Sequence, residues 1–190
     1  MMCRLARTGD TSWTFSAVGD EAEGPRDYGR WVPELKAYLE DIVPGIRVGD
    51  PRDRTAGMRK GQVVAIASYA TGPIGQVAMG LAWDITRGCP IDLDASVICL
   101  DRNLDVVEIV YYTHLVSSDG TIRHSGDDTT GDGGGDDETI FVDLARLSHN
   151  VVHLAFVVCS YSGQHFVNVD NTSCRLYAPN TTDFAHFRLT

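Results

Sequence analysis

Short apolar runs separated by turn signals dominate the chain from Lys60 onward. The runs are rich in Val, Ile, Phe and Tyr, which favour strands, and their spacing of about 8–12 residues is typical of an antiparallel sandwich. Turn-forming sequences such as "GPIGQ" and "SSDGT" lie between them. We therefore predict an all-β fold, an antiparallel two-sheet β-sandwich. Its strands are expected at Gln62–Ser68, Gln76–Trp83, Leu93–Leu100, Val106–Tyr112, Thr139–Leu144, Val151–Ser160, Cys174–Tyr177 and Phe184–Leu189.

Residues 1–56 differ from the rest because they are rich in Pro, Gly and charged residues. One short helix is predicted over Pro33–Val43, since Pro suits a first helical turn and the Pro-Gly pair that follows ends the helix. Its apolar side is formed by Trp31, Leu35, Leu39 and Ile42. We divide the chain into an N-terminal extension, residues 1–56, and a sandwich domain, residues 57–190. The extension is either a tail without fixed structure or a docking arm that gains order on its own domain or on a protein partner.

The composition narrows the classes of function. The chain has 190 residues, 43% of them hydrophobic, and a formal net charge of -10. Such a charge repels nucleic acid and anionic membranes, so neither is an expected partner. No apolar stretch approaches the ~18 residues of a membrane span and the N-terminus lacks a secretory signal, so we expect no membrane insertion. The five cysteines form no CxxC pair, which favours a reducing, intracellular and cytoplasmic location.

One segment, "SGDDTTGDGGGDDET" at Ser125–Thr139, is unusually acidic. Two carboxylates about 5 Å apart repel each other by about 3 kcal/mol at an effective dielectric constant of about 20. The segment is therefore either a disordered acidic linker or a loop whose charges a cation collects. Its glycines permit tight turns, and hard oxygen ligands on such a backbone suit calcium better than magnesium, zinc or copper. The carboxylates of the segment are Asp127, Asp128, Asp132, Asp136, Asp137 and Glu138.

A second acidic element precedes this loop. Asp92 and Asp94 lie two positions apart in "DLDASV", so on a strand they share one face about 6.6 Å apart, which is close enough for one cation to bridge them. Leu93 and Ala95 then face the opposite way, as a half-buried strand requires. Asp84 is placed to reach the same neighbourhood. The alternative interpretation is a solvated strand face. With the acidic loop, these residues predict one or two calcium ions.

Five segments carry a resemblance to a known family: "MRKGQVVAIAS", "GLAWD", "DLDASVICLD", "HSGDDTTGDGGGDDETIFVDL" and "FVVCSYSGQHFVNVDNTSCRLY". In this order they resemble the TerD family of tellurium-resistance and stress-response proteins over about residues 58–190. The resemblance implies a calcium-binding β-sandwich with two neighbouring metal sites. Asp132 stands where the family often has Glu, and Asp128 where Asn is common. The ligands that the resemblance implies are Asp92, Asp94, Asp127, Asp128, the Gly131 carbonyl, Asp136, Asp137 and Glu138.

Catalysis is not expected. The sequence has no G-x-S-x-G, P-loop or nucleotide-binding fingerprint, and the acidic loop offers water and glycine rather than the apolar pocket that a general acid needs. We therefore predict a non-enzymatic, calcium-binding module that acts in stress response of the tellurite-resistance type or in calcium-dependent protein interaction. The alternative is a calcium-clamped structural component of a large intracellular assembly, such as a cytoskeletal or ciliary one, docked through the N-terminal extension.

Two further groups of side chains have more than one interpretation. Trp83 lies on a predicted strand and is expected in the core, whereas Trp13 and Trp31 are interpreted as anchors of the docking arm. A polar run between Ser160 and Asn171 follows a buried strand. It is interpreted as a hairpin connection, or alternatively as support for the acidic loop.

Overall fold

The structure is a computed structural model, and it describes residues 2–17, 33, 56–57, 63–69, 72–84, 91–163, 165–169, 171–179 and 183–188. These residues form two six-stranded β-sheets around a common apolar core. The predicted antiparallel two-sheet sandwich is therefore confirmed. Apart from Pro33, the helix predicted over Pro33–Val43 lies outside the described residues.

The first sheet is antiparallel throughout and includes the first described strand of the chain. Numbering the strands along the chain, its spatial order is β4 (Val63–Ala65), β2 (Trp13–Ala17), β1 (Met2–Arg7), β10 (His153–Ser160), β6 (Leu93–Leu100) and β7 (Val106–Val110). The strands β1 and β2 form a hairpin, and β1 also pairs with β10. The first residues of the chain are thus hydrogen-bonded in the middle of this sheet.

The second sheet carries the strand that closes the acidic loop. Its spatial order is β3 (Ala56–Gly57), β12 (Asp183–Arg188), β11 (Ser173–Tyr177), β5 (Gln76–Ala82), β9 (Glu138–Asp143) and β8 (Ile122–His124). All of its pairs are antiparallel except that of β12 with the short β3. The acidic loop connects β8 to β9 at one edge of this sheet.

The core follows from alternation along the strands. On β6, Leu93, Ala95, Val97 and Cys99 belong to the apolar core between the sheets. Trp83, at the end of β5, is also in this core, as predicted. Burying a large apolar side chain contributes roughly 1.5–3 kcal/mol, so such residues hold the two sheets together.

Several strands agree with their predicted positions, and some were not predicted. Strand β6 has the predicted bounds, and six other predicted strands agree to within two residues at each end. Gln62–Ser68 contains only β4, followed by a 3-10 turn at Ile66–Tyr69. The strands β1, β2, β3 and β8 were not predicted. Trp13 lies in the core at 3% exposure, where Arg7 packs over its ring at 4.6 Å.

Two other sequence expectations concern thiols and membranes. Cys3, Cys99, Cys159 and Cys174 are free thiols in the described part of the chain. Burial raises the pKa of Cys99 to about 12, so this thiol behaves as an apolar side chain. No helix among the described residues combines the length and apolar character needed to cross a membrane.

Strand pairing leaves one part of β6 open toward the acidic loop. Strand β7 pairs with β6 only from Val97 to Leu100. The first residues of β6 therefore have no strand partner from β7, and their backbone groups need other partners. The candidate metal site lies at this end of β6.

Candidate metal site

Three carboxylates converge where β6 begins. Asp92, Asp94 and Asp127 each place a carboxylate oxygen within 4.8 Å of the other two. Oxygens bound to one calcium ion at 2.3–2.6 Å are at most about 5 Å apart, so this spacing matches a shared cation. Asp94 is only 3% exposed, whereas Asp92 is partly buried and Asp127 is exposed. The acidic triad could therefore hold a metal ion that remains open to solvent on one side.

The hydrogen bonding of Asp92 fits a cation. Its backbone N–H donates to Ser162 Oγ at 3.2 Å, and its carbonyl accepts from the Tyr161 N–H at 2.9 Å. The polar run after β10 thus fixes the backbone of Asp92. Within the described residues, however, Asp92 Oδ1 is buried and has no hydrogen-bond partner. A buried carboxylate oxygen without a donor is costly, and a bound cation would remove that cost.

The pKa values of the triad also favour a bound cation. Burial raises the pKa of Asp94 to about 7, and the negative charges of Glu138, Asp92 and Asp127 add to this effect. Burial, followed by repulsion from Asp127 and Glu138, also raises the pKa of Asp92. Without a cation, the site resists full ionisation. The raised pKa of Asp94 was not predicted from the sequence.

Glu138 and His124 take the place of a strand partner at the start of β6. Glu138 is fully buried, and its Oε2 accepts from the Ala95 N–H at 2.6 Å. His124 Nε2 lies 3.0 Å from the Ala95 carbonyl oxygen, and its Nδ1 accepts from the Gly126 N–H at 3.1 Å. Because Nδ1 is an acceptor, Nε2 carries the proton and donates to Ala95. Two side chains thus pair with both backbone groups of one residue and tie the loop to β6.

The first half of the loop is organised around Asp128. Its Oδ1 accepts from the N–H groups of Thr130 at 2.8 Å and Gly131 at 3.0 Å, and its own N–H donates to Glu138 Oε1 at 3.2 Å. Burial opposes ionisation of Asp128, but these donated hydrogen bonds hold its pKa below the usual range. Asp132 is exposed, and its N–H donates to Thr130 Oγ1. Neither carboxylate belongs to the acidic triad.

The second half of the loop is held by β5 and β11. Asp136 accepts from Arg175 through two hydrogen bonds of 2.7 and 3.0 Å, and from the Tyr177 hydroxyl at 3.2 Å. It lies directly over Gly80, where a Cβ atom would overlap its carboxylate. Asp137 Oδ2 accepts from the Trp83 N–H at 2.8 Å. These carboxylates have protein partners away from the triad, and their role as metal ligands stays a prediction.

Asp84 lies two residues after the end of β5. Its Oδ2 accepts from Asn171 Nδ2 at 2.6 Å, and the residue is exposed. From the predicted set, the structure therefore brings together Asp92, Asp94 and Asp127. Other hydrogen bonds are made by the side chains of Asp84, Asp128, Asp136, Asp137 and Glu138. As a ligand, Asp84 also stays a prediction.

Comparison with known proteins decides the family. A TerD domain matches residues 55–190. The chain belongs to the TerD family. It is 35% identical over 142 residues to the tellurium resistance protein TerZ of Serratia marcescens, which covers 69% of this chain and 73% of the relative. It is 32% identical over 139 residues to the general stress protein 16U of Bacillus subtilis, which covers 68% of this chain and 72% of the relative.

A solved structure supports the fold of this TerD domain. The crystal structure of a homologue of the telluride resistance protein TerD from Streptomyces coelicolor is similar, with a TM-score of 0.53 and 24% identity. The similarity covers 60% of this chain and 70% of that one. The match to the TerD domain confirms the resemblance of the sequence to this family. The hairpin of β1 and β2 lies before the matched residues, although it belongs to the first sheet.

Two residues that shape the candidate metal site were not predicted from the sequence. One of them is His124, whose Nε2 pairs with the Ala95 carbonyl. Arg175 was not singled out, and it holds Asp136. The signal available for His124 was its position directly before the acidic loop. For Arg175 the only signal was a charged residue between the apolar Cys174 and Leu176.

Gly131 gives a test of the loop conformation. Its φ of +63° lies in the left-handed region, and a Cβ atom there would overlap the Trp83 indole. We expect Gly131→Ala to lower the free energy of unfolding by roughly 1–3 kcal/mol, because it adds backbone strain and displaces the loop from Trp83. Urea denaturation measures the effect. The matched control is Gly134→Ala, which meets open space at an ordinary φ and should change stability by less than about 0.5 kcal/mol. Equal effects of the two substitutions would contradict this account.

Proposed function

We propose that this protein is a non-enzymatic, calcium-binding TerD module that acts in stress response. The observation that carries the proposal is the convergence of Asp92, Asp94 and Asp127 around the unpartnered oxygen of Asp92. The names of the relatives, which refer to tellurium resistance and general stress, support the cellular role. One or two calcium ions would bind at the triad and the adjoining acidic loop.

The chemistry of the donors favours calcium over other divalent ions. The candidate ligands are carboxylate oxygens, which are hard donors, and both nitrogens of the neighbouring His124 are already hydrogen-bonded. Calcium accepts 6–8 oxygens in flexible geometry, which suits a glycine-rich loop. Magnesium demands a regular octahedron and retains several waters, so it would neutralise the buried Asp94 less well.

Calcium binding would change the loop more than the sandwich. The triad joins β6 to the β8–β9 loop, and a cation would neutralise charges that repel each other across this joint. The loop is exposed at Asp127 and Asp132, so its ordered form would present a new surface. A calcium-dependent interaction with another protein would follow from this change.

The first test compares melting curves. Calcium is expected to stabilise the fold by about 2.7 kcal/mol at a free concentration one hundred times its Kd, because it binds the folded state only. Magnesium is expected to give a much smaller shift. Differential scanning fluorimetry of chelator-stripped protein in chelator, calcium and magnesium measures this, and isothermal titration gives the number of ions. Identical melting curves in calcium and in chelator would rule the proposal out.

A further inference from the structure

Among the described residues, three tyrosines lie at the end of the sheet that carries the acidic triad. Tyr111 and Tyr112 directly follow β7, and Tyr161 directly follows β10. Both strands pair with β6 in antiparallel fashion, so both chain segments leave the sheet where β6 begins. The Tyr161 N–H donates to the Asp92 carbonyl at 2.9 Å. The backbone of one tyrosine is thus tied directly to a member of the triad.

The rings of these tyrosines contact one another. The ring centroids of Tyr111 and Tyr112 are 5.5 Å apart at an interplanar angle of 87°, and those of Tyr112 and Tyr161 are 6.3 Å apart at 78°. Edge-to-face contacts of this kind are favourable and fix the rings relative to each other. Tyr161 is 44% exposed, so part of this aromatic surface faces solvent. We call Tyr111, Tyr112 and Tyr161 the tyrosine cluster.

The charges of the triad act on the tyrosine cluster. Burial raises the pKa of Tyr112, and the negative charges of Asp94 and Asp127 raise it further. The same charges attract a cation that approaches the rings. The face of an aromatic ring is also electronegative and attracts cations. Rings and carboxylates therefore favour one kind of ligand, a positively charged group.

The second sheet shows how such a combination holds a guanidinium. Arg175 Cζ lies 4.5 Å from the centroid of the Tyr177 ring, and the same guanidinium donates two hydrogen bonds to Asp136. One aromatic ring and one carboxylate together position this arginine. The tyrosine cluster and the triad combine the same two elements, and both Tyr161 and Asp127 are exposed. An arginine from another molecule has access to them.

We propose that the tyrosine cluster and the acidic triad bind an arginine side chain from a basic segment of a partner protein. The planar guanidinium would stack on a tyrosine ring and donate to Asp127, the exposed member of the triad. The formal net charge of -10 also favours a basic partner over an acidic one. The inference stands apart from calcium binding, because it needs only the rings and the negative charges.

Fluorescence anisotropy of a labelled peptide tests the proposal. The probe alternates arginine and glycine, and it is added to the full chain in chelator at about 0.1 M salt. In the control peptide, citrulline replaces arginine and removes the charge while keeping the shape. We expect the arginine peptide to bind and the citrulline peptide to bind at least about tenfold more weakly. Failure of the arginine peptide to bind at millimolar concentration would overturn the proposal.

Variants of Tyr161 separate the ring from the charge of the chain. Tyr161→Ala should weaken binding of the arginine peptide by about threefold to tenfold, because it removes an exposed aromatic ring and leaves the net charge unchanged. Tyr161→Phe keeps the ring and should bind within about twofold of the wild type. If Tyr161→Ala bound the peptide as tightly as the wild type, the general acidity of the chain would explain the attraction and the proposal would fail.

A matched pair of carboxylate variants tests the contribution of the triad. Asp127→Asn removes a charge from the triad, whereas Asp132→Asn removes an exposed charge from the same loop outside it. Binding of the arginine peptide should fall about fivefold in the first variant and less than about twofold in the second. Equal losses in the two variants would count against a site at the triad.

NMR spectra of the wild-type protein locate the peptide and do not depend on any variant folding. The ring signals of Tyr112 and Tyr161 should shift when the arginine peptide is added. The ring signals of Tyr177, which already contacts Arg175, should stay in place. Shifts confined to other parts of the chain would overturn the proposal, whatever the affinity of the peptide.

Discussion

Replacing Asp94 with Asn is expected to make the metal-free protein more stable and to remove most of its stabilisation by calcium. The Asp94 carboxylate is buried beside Asp92, Asp127 and Glu138, and its pKa of about 7 reflects the cost of charging it there. Asn has the same shape without the charge. We expect the metal-free variant to gain roughly 2–4 kcal/mol at about pH 8, where the wild-type carboxyl group must be ionised. Its calcium affinity should fall by about 100-fold or more, because an anionic ligand is lost.

Urea denaturation in chelator and in calcium measures both effects. In chelator the variant should have the higher free energy of unfolding. In calcium the wild type should have the higher one. The matched control is Asp132→Asn, which removes an exposed charge from the same loop. It should change stability by less than about 0.5 kcal/mol in either condition. If Asp94→Asn destabilised the metal-free protein, Asp94 would be serving as a hydrogen-bonded anion and the site would need no cation.

The same carboxyl group sets a pH dependence. Because the folded pKa of Asp94 is raised, its contribution to stability is fully present below about pH 4 and is lost as the pH rises through about 7. Calcium binds the ionised form, so the difference in Tm between calcium and chelator should widen over that window. In Asp94→Asn both trends should flatten. Melting curves between about pH 5 and pH 8 measure them.

The strands show where a sequence pattern is informative. Strand β6 could be predicted with its bounds because its apolar run is long and is bounded by polar residues at both ends. The hairpin of β1 and β2 carries a readable alternation, with Cys3 and Leu5 buried on one face and Arg4 on the other. That signal was outweighed by the Pro- and Gly-rich sequence that follows it. Strand β8 has only three residues, which is too short for a period to be recognised.

The candidate metal site could be predicted from the sequence only in part. The shared face of Asp92 and Asp94 follows from the two-residue period of a strand, and the structure places both in the triad. The partner that each carboxylate of the acidic loop contacts does not follow from the local sequence pattern. Asp136 is held by Arg175, which lies on β11 and is distant in sequence. Such assignments depend on which strands become neighbours, and the spacing within the loop contains no information about that pairing.

The second large effect is expected from replacing the buried Glu138. Replacing it with Ala would leave the buried N–H of Ala95 and the partly buried N–H of Asp128 without their acceptor. An orphaned buried donor costs about 1–3 kcal/mol. Some of this loss is offset, because removing the Glu138 charge relieves repulsion on Asp94. We therefore expect Glu138→Ala to lower the free energy of unfolding by roughly 2–4 kcal/mol in chelator. Urea denaturation measures the loss.

Two comparisons separate the buried hydrogen bonds from charge alone. Glu138→Gln removes the charge but keeps one acceptor oxygen, so it should lie between the wild type and Glu138→Ala. Glu108 accepts from the Ser118 N–H and hydroxyl, but it lies at the surface. Glu108→Ala should therefore cost less than about 1 kcal/mol, since water replaces the lost bonds. If Glu138→Ala were no more damaging than Glu108→Ala, the buried carboxylate would not be what joins the acidic loop to β6, and the geometry of the triad would need another cause.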